Sequence, residues 1–160
     1  MSNKNNISIR RYKPGDGEKI LSVFLSSVRE IASVDYTESQ IKAWSLVDDR
    51  EKWISNIQHL KPFVAEIHGD IAGYSDLQPN GYIDHFFVSG SYVKMGVGSA
   101  LMHTIHKEAQ RLNIKILSAD VSKTAEAFFS KHGFHVEKRQ NPVRRGIELP
   151  NALMVKQISN

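Results

Sequence analysis

The hydrophobic period of this 160-residue chain changes after Leu60, and that change limits the folds open to it. Upstream, Ile20, Leu21, Phe24, Leu25, Val28 and Ile31 recur at the spacing of an amphipathic helix. Thr37 followed by Gln40 predicts a capping box that opens a second helix, with Ile41, Trp44 and Val47 as its buried stripe. Residues 51–60, with Trp53, Ile54 and Ile57, predict a further helical stretch. Downstream, residues 63–67, 71–77 and 82–88 are short β-rich runs. The turn signals His68-Gly69-Asp70 and Pro79-Asn80-Gly81 separate them. This segment predicts three consecutive antiparallel strands, a meander.

The flanks complete the order. Residues 7–12 alternate apolar and polar and predict a first strand. Pro14-Gly15-Asp16-Gly17 is a turn whose Asp16 is placed to cap the next helix. After a Gly-containing loop, Val97, Leu101, Ile105, Ala109 and Leu112 mark one face of a long helix. Residues 114–121 predict a strand, residues 124–132 a short helix stopped by Gly133, and residues 134–137 and 152–156 the closing strands. The fold class is α+β: a mixed, mostly antiparallel sheet in the order β-α-α-β-β-β-α-β-α-β-β with helices on both faces. A length of 160 residues with no linker or repeat fits a single domain over residues 1–160.

Composition narrows the chemistry. The chain has no cysteine, which removes disulfides, thiolate metal sites and a cysteine nucleophile. No apolar run approaches the ~20 residues of a membrane helix, and the polar start, residues 1–6, resembles no secretion signal, so the expected location is cytoplasmic. The net charge of +4 is scattered, with Lys138-Arg139 and Arg144-Arg145 the densest cluster. Such a surface can bind nucleic acid or attract a nucleotide-like polyanion, but with no basic arm and no nucleic-acid motif the first reading is a solvated surface. His103 and His106 lie three apart on the long helix, but no third ligand is in view and both are expected on its exposed polar face, so no metal is expected.

The chemical centre is Val93-Lys94-Met95-Gly96-Val97-Gly98-Ser99, at the start of that helix. Glycine lets backbone amides approach a ligand, and the first-turn amides have no intrahelical acceptor, so such a loop can cradle a pyrophosphate. A dinucleotide fingerprint needs a small residue where Leu101 stands, although Asp120 falls near its ribose-binding offset. A Walker loop needs a Gly-Lys-Ser/Thr that is missing. Gly96 and Gly98 also fit a tight turn with no ligand.

In context the loop resembles a known family. Ile83-Asp84-His85-Phe86-Phe87-Val88 is similar to the fourth strand of the GNAT N-acetyltransferases. Val93 to Gly98 is similar to their Gln/Arg-x-x-Gly-x-Gly/Ala loop, and residues 125–134 to their Ala-x-x-Phe-Tyr-x-x-x-Gly-Phe helix. The resemblance implies an acetyl-CoA-dependent enzyme acetylating a primary amine, with a non-catalytic acyl-CoA-binding module as the alternative. It implies a cofactor opening between the fourth and fifth strands. There the backbone of Phe86–Val88 pairs with the pantetheine arm, and amides from Val93 through Lys94, Met95, Gly96, Val97 and Gly98 to Ser99 hold the pyrophosphate. Ser122 stands where many members have Asn, Phe128 and Phe129 line the thioester wall, and Lys131 lies near the cofactor. Core packing is the first reading for Phe128; Phe129 fits either role. Two positions depart from the family: Val93 replaces its Gln or Arg, and Phe129 replaces a Tyr that can protonate the thiolate.

The reaction needs a base to take a proton from the amine. If residues 82–88 form one regular strand, Tyr82 and Asp84 share a face and Ile83, His85 and Phe87 share the other. The resemblance puts acidic bases of different members at the Tyr82 and Asp84 positions. Asp84 is the favoured base, with Tyr82 and His85 as further catalytic candidates. Tyr36, Trp44, Trp53 and Phe63 are the aromatics available to the acceptor, with Trp44 read first as core. The acceptor stays open among polyamine, aminoglycoside, peptide N-terminus, lysine side chain and aromatic amine. A homodimer is compatible with the sequence.

Overall fold

The computed structural model describes residues 6–158; the rest of the polar start, residues 1–5, lies outside them. The order opens with β1 (Ile7–Arg11) and α1 (Gly17–Ser26). The α1 helix runs on through a π-helical stretch, Ser27–Ile31, and a 3-10 turn, Ala32–Val34. Then come α2 (Glu38–Ser45), α3 (Arg50–Leu60), β2 (Phe63–Ile67), β3 (Asp70–Ser75), β4 (Tyr82–Ile83), β5 (Phe86–Val88) and α4 (Val97–Arg111). The chain closes with β6 (Ile116–Ser122), α5 (Glu126–Lys131), β7 (His135–Gln140), β8 (Val143–Arg144), β9 (Ile147–Glu148) and β10 (Asn151–Gln157).

The capping box at Thr37 forms as its sequence predicts: the hydroxyl accepts the Gln40 N–H, and the Gln40 side chain accepts the Thr37 N–H. Asp16 instead leaves its helix uncapped. Its buried carboxylate accepts both terminal nitrogens of Arg10, at 2.7 and 3.0 Å, and the Lys13 N–H at 2.8 Å. The α4 stripe is Val97, Leu101, Met102, Ile105 and Ala109. Leu112, expected on that stripe, lies past the end of the helix and is 43% exposed.

The single sheet of the sequence reading is two. One is antiparallel throughout, in the order β1-β2-β3-β5; the other runs β4-β6-β10-β7. In the second, β10 is antiparallel to β6 and β7, while β4 is parallel to β6 through Tyr82↔Ser118 and Ile83↔Ala119. Strands β8 and β9 make a separate hairpin around Arg145-Gly146, which the sequence reading did not anticipate.

Alternation along β2 explains the layers. Phe63, Ala65 and Ile67 face one core with Leu101 and Ile105 of α4 and Leu117, Ala119 and Met154 of the second sheet. Val64 faces the other, with Ile20, Leu21 and Phe24 of α1, Ile57 of α3 and Tyr74. Helices therefore cover both faces of the first sheet, as a sheet with two apolar faces requires.

His106 departs from the exposed face expected of it. Its ring is half-buried beside Phe134, with Nδ1 2.8 Å from the Met102 carbonyl and Nε2 2.8 Å from Lys156 Nζ. The same ammonium donates to the His132 carbonyl at 2.7 Å. A carbonyl only accepts, so Nδ1 carries the proton and the ring is neutral. Burial, followed by neighbouring positive groups including Lys156, lowers the pKa of both His106 and His132 from the ordinary 6.5. The unfolded chain then takes up protons first as pH falls, so stability is complete above about pH 6.5 and declines below it. The melting temperature should be lower at about pH 5.5 than at about pH 7.5. His106→Gln should shrink that difference in a melting series across this range.

Candidate active site

Residues 82–88 do not form one strand. The segment leaves the second sheet after Ile83, passes through Asp84-His85 and enters the first sheet at Phe86. The ladder between β4 and β6 ends at Ile83↔Ala119, and β5 pairs only with β3. The sheets part at this break, and two clefts open along it.

Asp76 holds the break. Its carboxylate, 1% exposed, accepts the N–H groups of Asp84 and His85, each at 2.8 Å on Oδ1. Burial pushes its pKa up against the pull of those donors and of His85. Asp76→Ala would leave two amides without their acceptor, a cost of about 2–4 kcal/mol. Asp76→Asn, which keeps an acceptor oxygen, should recover most of that stability in urea titrations.

The first cleft, about 190 Å3, is largely apolar and is lined by Phe86, Phe87, Val88, Gly98, Phe128 and Phe129, with Ile31 and Ala32 opposite. Phe128 is therefore a wall residue as well as a packing one, and the 3%-exposed Phe129 serves both roles. Thr124 also lines it, and its Oγ1 is buried with no hydrogen-bond partner among the described residues.

The Gly-containing loop adjoins this cleft. Lys94 and Gly96 take left-handed backbone angles, φ 61° and 88°, and α4 starts at once. Ala100 donates to the Gly96 carbonyl at 3.0 Å, so the amides of Val97, Gly98 and Ser99 precede the helical ladder. Alternating left- and right-handed residues turn successive N–H groups inward, the geometry of an anion nest. A Cβ on Gly98 would stand 3.1 Å from the Phe128 ring, so glycine keeps the helix start close to the cleft wall. The Val93, Lys94 and Ser99 side chains are exposed, while Met95 and Val97 pack on the core, so the loop offers its backbone. Lys131 is exposed on α5 and is absent from the lining of this cleft.

A diphosphate with an apolar arm fits this arrangement: backbone donors at a positive helix end, an apolar channel, and a buried hydroxyl without a partner.

The second cleft, about 330 Å3, meets the first at Trp44, Phe87 and Ser122. Its walls include Tyr36, Asp84, Asp120, Arg144, Leu149 and Asn151. Trp44 is thus a wall of both clefts as well as packing against the core, as its spacing predicts. Trp53 and Phe63 lie elsewhere, Trp53 against Phe24 and His85, and Phe63 in the core beneath Arg11.

Because the strand is interrupted, the faces expected from alternation do not hold. His85 lies among the rings of Phe24, Trp53, Tyr74 and Phe87, yet its Nε2 is 3.8 Å from Asp84 Oδ2. Its Nδ1 is 3.0 Å from the Tyr74 hydroxyl, whose pKa burial raises well above its ordinary value. With Tyr74 donating, the His85 proton sits on Nε2, facing Asp84. Burial lowers the His85 pKa, and Asp84 and Asp76 oppose it.

Tyr82 turns to Asp120, donating to Oδ2 at 2.8 Å, while Gln140 donates to Oδ1 at 2.8 Å. Burial and the Asp120 carboxylate raise the Tyr82 pKa, which keeps the phenol protonated near neutral pH. Asp76 and the cleft role of Asp120 had no sequence signal: their partners are backbone groups and side chains far along the chain. Among the described residues no group of three or more His, Asp or Glu side chains is placed to hold a metal ion. No helix is long and apolar enough to cross a membrane.

A split strand that joins an anion-binding channel to a carboxylate-lined cleft defines a group-transfer enzyme using a nucleotide-linked donor. Residues 32–154 match the acetyltransferase (GNAT) domain profile. Over 150 residues the chain is 34% identical to the uncharacterized N-acetyltransferase YafP of Escherichia coli, covering 94% of this chain and 95% of that one. A crystal structure of a GCN5-related N-acetyltransferase from Rhodopseudomonas palustris superposes with a TM-score of 0.92 at 28% identity, over 99% of both chains. The PaiA N-acetyltransferase of Thermoplasma acidophilum, determined with coenzyme A, shares the fold at a TM-score of 0.72 and 19% identity, over 96% of this chain and 99% of that one. The chain belongs to the GNAT acetyltransferase family and is an N-acetyltransferase, which does not favour the non-catalytic alternative.

Proposed function

We propose that this enzyme transfers acetyl from acetyl-CoA directly to a primary amine held beside Asp84. The observation that carries the reading is the junction of the two clefts at Trp44, Phe87 and Ser122, where an acyl group in one meets an acceptor in the other. Bound acetyl-CoA supplies an acyl group activated as a thioester. The amides of Val97, Gly98 and Ser99 hold its diphosphate, and the backbone of Phe86–Val88, unpaired on the side facing β6, holds its arm. Phe128 and Phe129 keep water from the channel.

Asp84 orients the acceptor ammonium and takes its proton, and His85 Nε2, 3.8 Å away, steadies the carboxylate. The neutral nitrogen then bonds to the acyl carbon as the carbon–sulfur bond breaks, the electron pair leaves on sulfur, and the second proton shed by the nitrogen ends on that sulfur as the CoA thiol. Phe129 has no proton to give. The Ser122 hydroxyl, which accepts the Ala125 N–H at 3.2 Å, keeps its own proton free for the departing sulfur.

Acetyl-CoA titration by calorimetry, with CoA and NAD as controls, tests the channel. Selective acetyl-CoA binding is expected, and no binding by folded protein would remove the reading.

A further inference from the structure

We propose that the acceptor is zwitterionic: a small amine that also carries a carboxylate, bound with its ammonium at Asp84 and its carboxylate at Arg144. This rests on the reading of the second cleft as the acceptor site.

The two charges are the basis. Asp84 lines the cleft with its side chain 46% exposed and faces His85 at 3.8 Å, a group whose pKa burial lowers. Arg144 lines the same cleft. Among the described residues it makes no ion pair, whereas its neighbours Arg139 and Arg145 pair with Glu126 and Asp48. No ion pair joins Asp84 to Arg144 among the described residues. The third charge, Asp120, already accepts a hydrogen bond on each oxygen from Tyr82 and Gln140. One carboxylate and one guanidinium whose side chains make no hydrogen bond among the described residues therefore share a space of about 330 Å3. A ligand carrying both opposite charges satisfies both, and a guanidinium fork suits a carboxylate in two-point contact.

The mounting of Arg144 supports this. The β8–β9 hairpin is latched onto α2: Arg145 pairs with Asp48 at 2.9 Å and donates to the Leu46 carbonyl at 3.3 Å, and Gln40 donates to the Glu148 carbonyl at 2.9 Å. At the base of the hairpin, Tyr36 donates to the Pro150 carbonyl at 2.5 Å. Arg145, in the turn at φ 53°, reaches α2, while Arg144, the last residue of β8, lines the cleft. A dication would set its second charge against Arg144. Trp44, Phe87 and Leu149 leave an apolar wall for the rest of the acceptor.

The test is steady-state acetylation by the full chain, followed by CoA thiol release. Its probes are the amino acids, their carboxamides and 1,4-diaminobutane, against wild type, Arg144→Gln and Arg144→Glu. Wild type should favour at least one amino acid over its carboxamide by about tenfold in kcat/KM. Arg144→Gln should erase that preference through KM, and Arg144→Glu should reverse it, which controls for the different basicities of the two amines. If wild type prefers the carboxamides or the diamine, or the Arg144 variants leave the ratio unchanged, the proposal fails while acetyl transfer stands. If no amine is acetylated although acetyl-CoA binds, the acceptor-site reading fails and takes the zwitterion with it.

Discussion

Asp84→Asn should lower kcat/KM for acetyl transfer by about 10²–10⁴-fold, the usual contribution of a positioned general base, while acetyl-CoA affinity stays within about twofold of wild type. The substitution keeps the shape of the side chain and the backbone N–H that Asp76 holds, so the break in the strand survives. It removes the proton acceptor facing the second cleft and leaves the amide nest untouched. Steady-state rates with any accepted amine, paired with calorimetry for the cofactor, separate the two effects. A variant as fast as wild type would show that the amine arrives already deprotonated or that another group takes the proton. Loss of acetyl-CoA binding instead would mean that Asp84 acts through the fold.

Gly96→Glu should weaken acetyl-CoA binding by about 100-fold or more. A carboxylate about 5 Å from a phosphate, at an effective dielectric near 20, costs roughly 3 kcal/mol per charge pair. Gly96 also has φ 88°, so any side chain there adds about 1–2 kcal/mol of backbone strain. Gly96→Ala separates the causes: it carries the strain without the charge and should keep most of the affinity. Equal affinity of the Glu variant and wild type would place the diphosphate elsewhere. An equal loss in both variants would assign the effect to backbone geometry.

Much of the frame was legible because its signals are local. The Thr37–Gln40 cap, the turn at His68-Gly69 and the glycines before α4 each act within a few residues. The left-handed loop before α4 was legible for the same reason. The catalytic side was harder to read. Alternation put Asp84 and His85 on opposite faces, but a strand that changes sheets after Ile83 has no single alternation, and the two side chains meet at 3.8 Å. Asp76 gave no signal in the sequence, since the amides it holds lie eight and nine positions later. Trp44 sits on a helical stripe, and spacing does not say whether a stripe faces a core or a cleft. His106 was misplaced because β10, which carries Lys156, folds back from fifty positions away to cover it.

The hairpin that carries Arg144 has a consequence for how this enzyme can diversify. The proposed base stands where the two sheets join, pinned by a buried carboxylate, and the proposed diphosphate site is made of backbone amides. The charge offered to the far end of the acceptor stands on a short appendage between β7 and β10 that adds nothing to either large sheet. Rewriting Val143–Arg144 and Ile147–Glu148 would therefore change which amines are admitted without moving the chemistry. Inheritance can treat the two as separate parts, one held fixed by the frame and one free to drift with the molecules available to the cell.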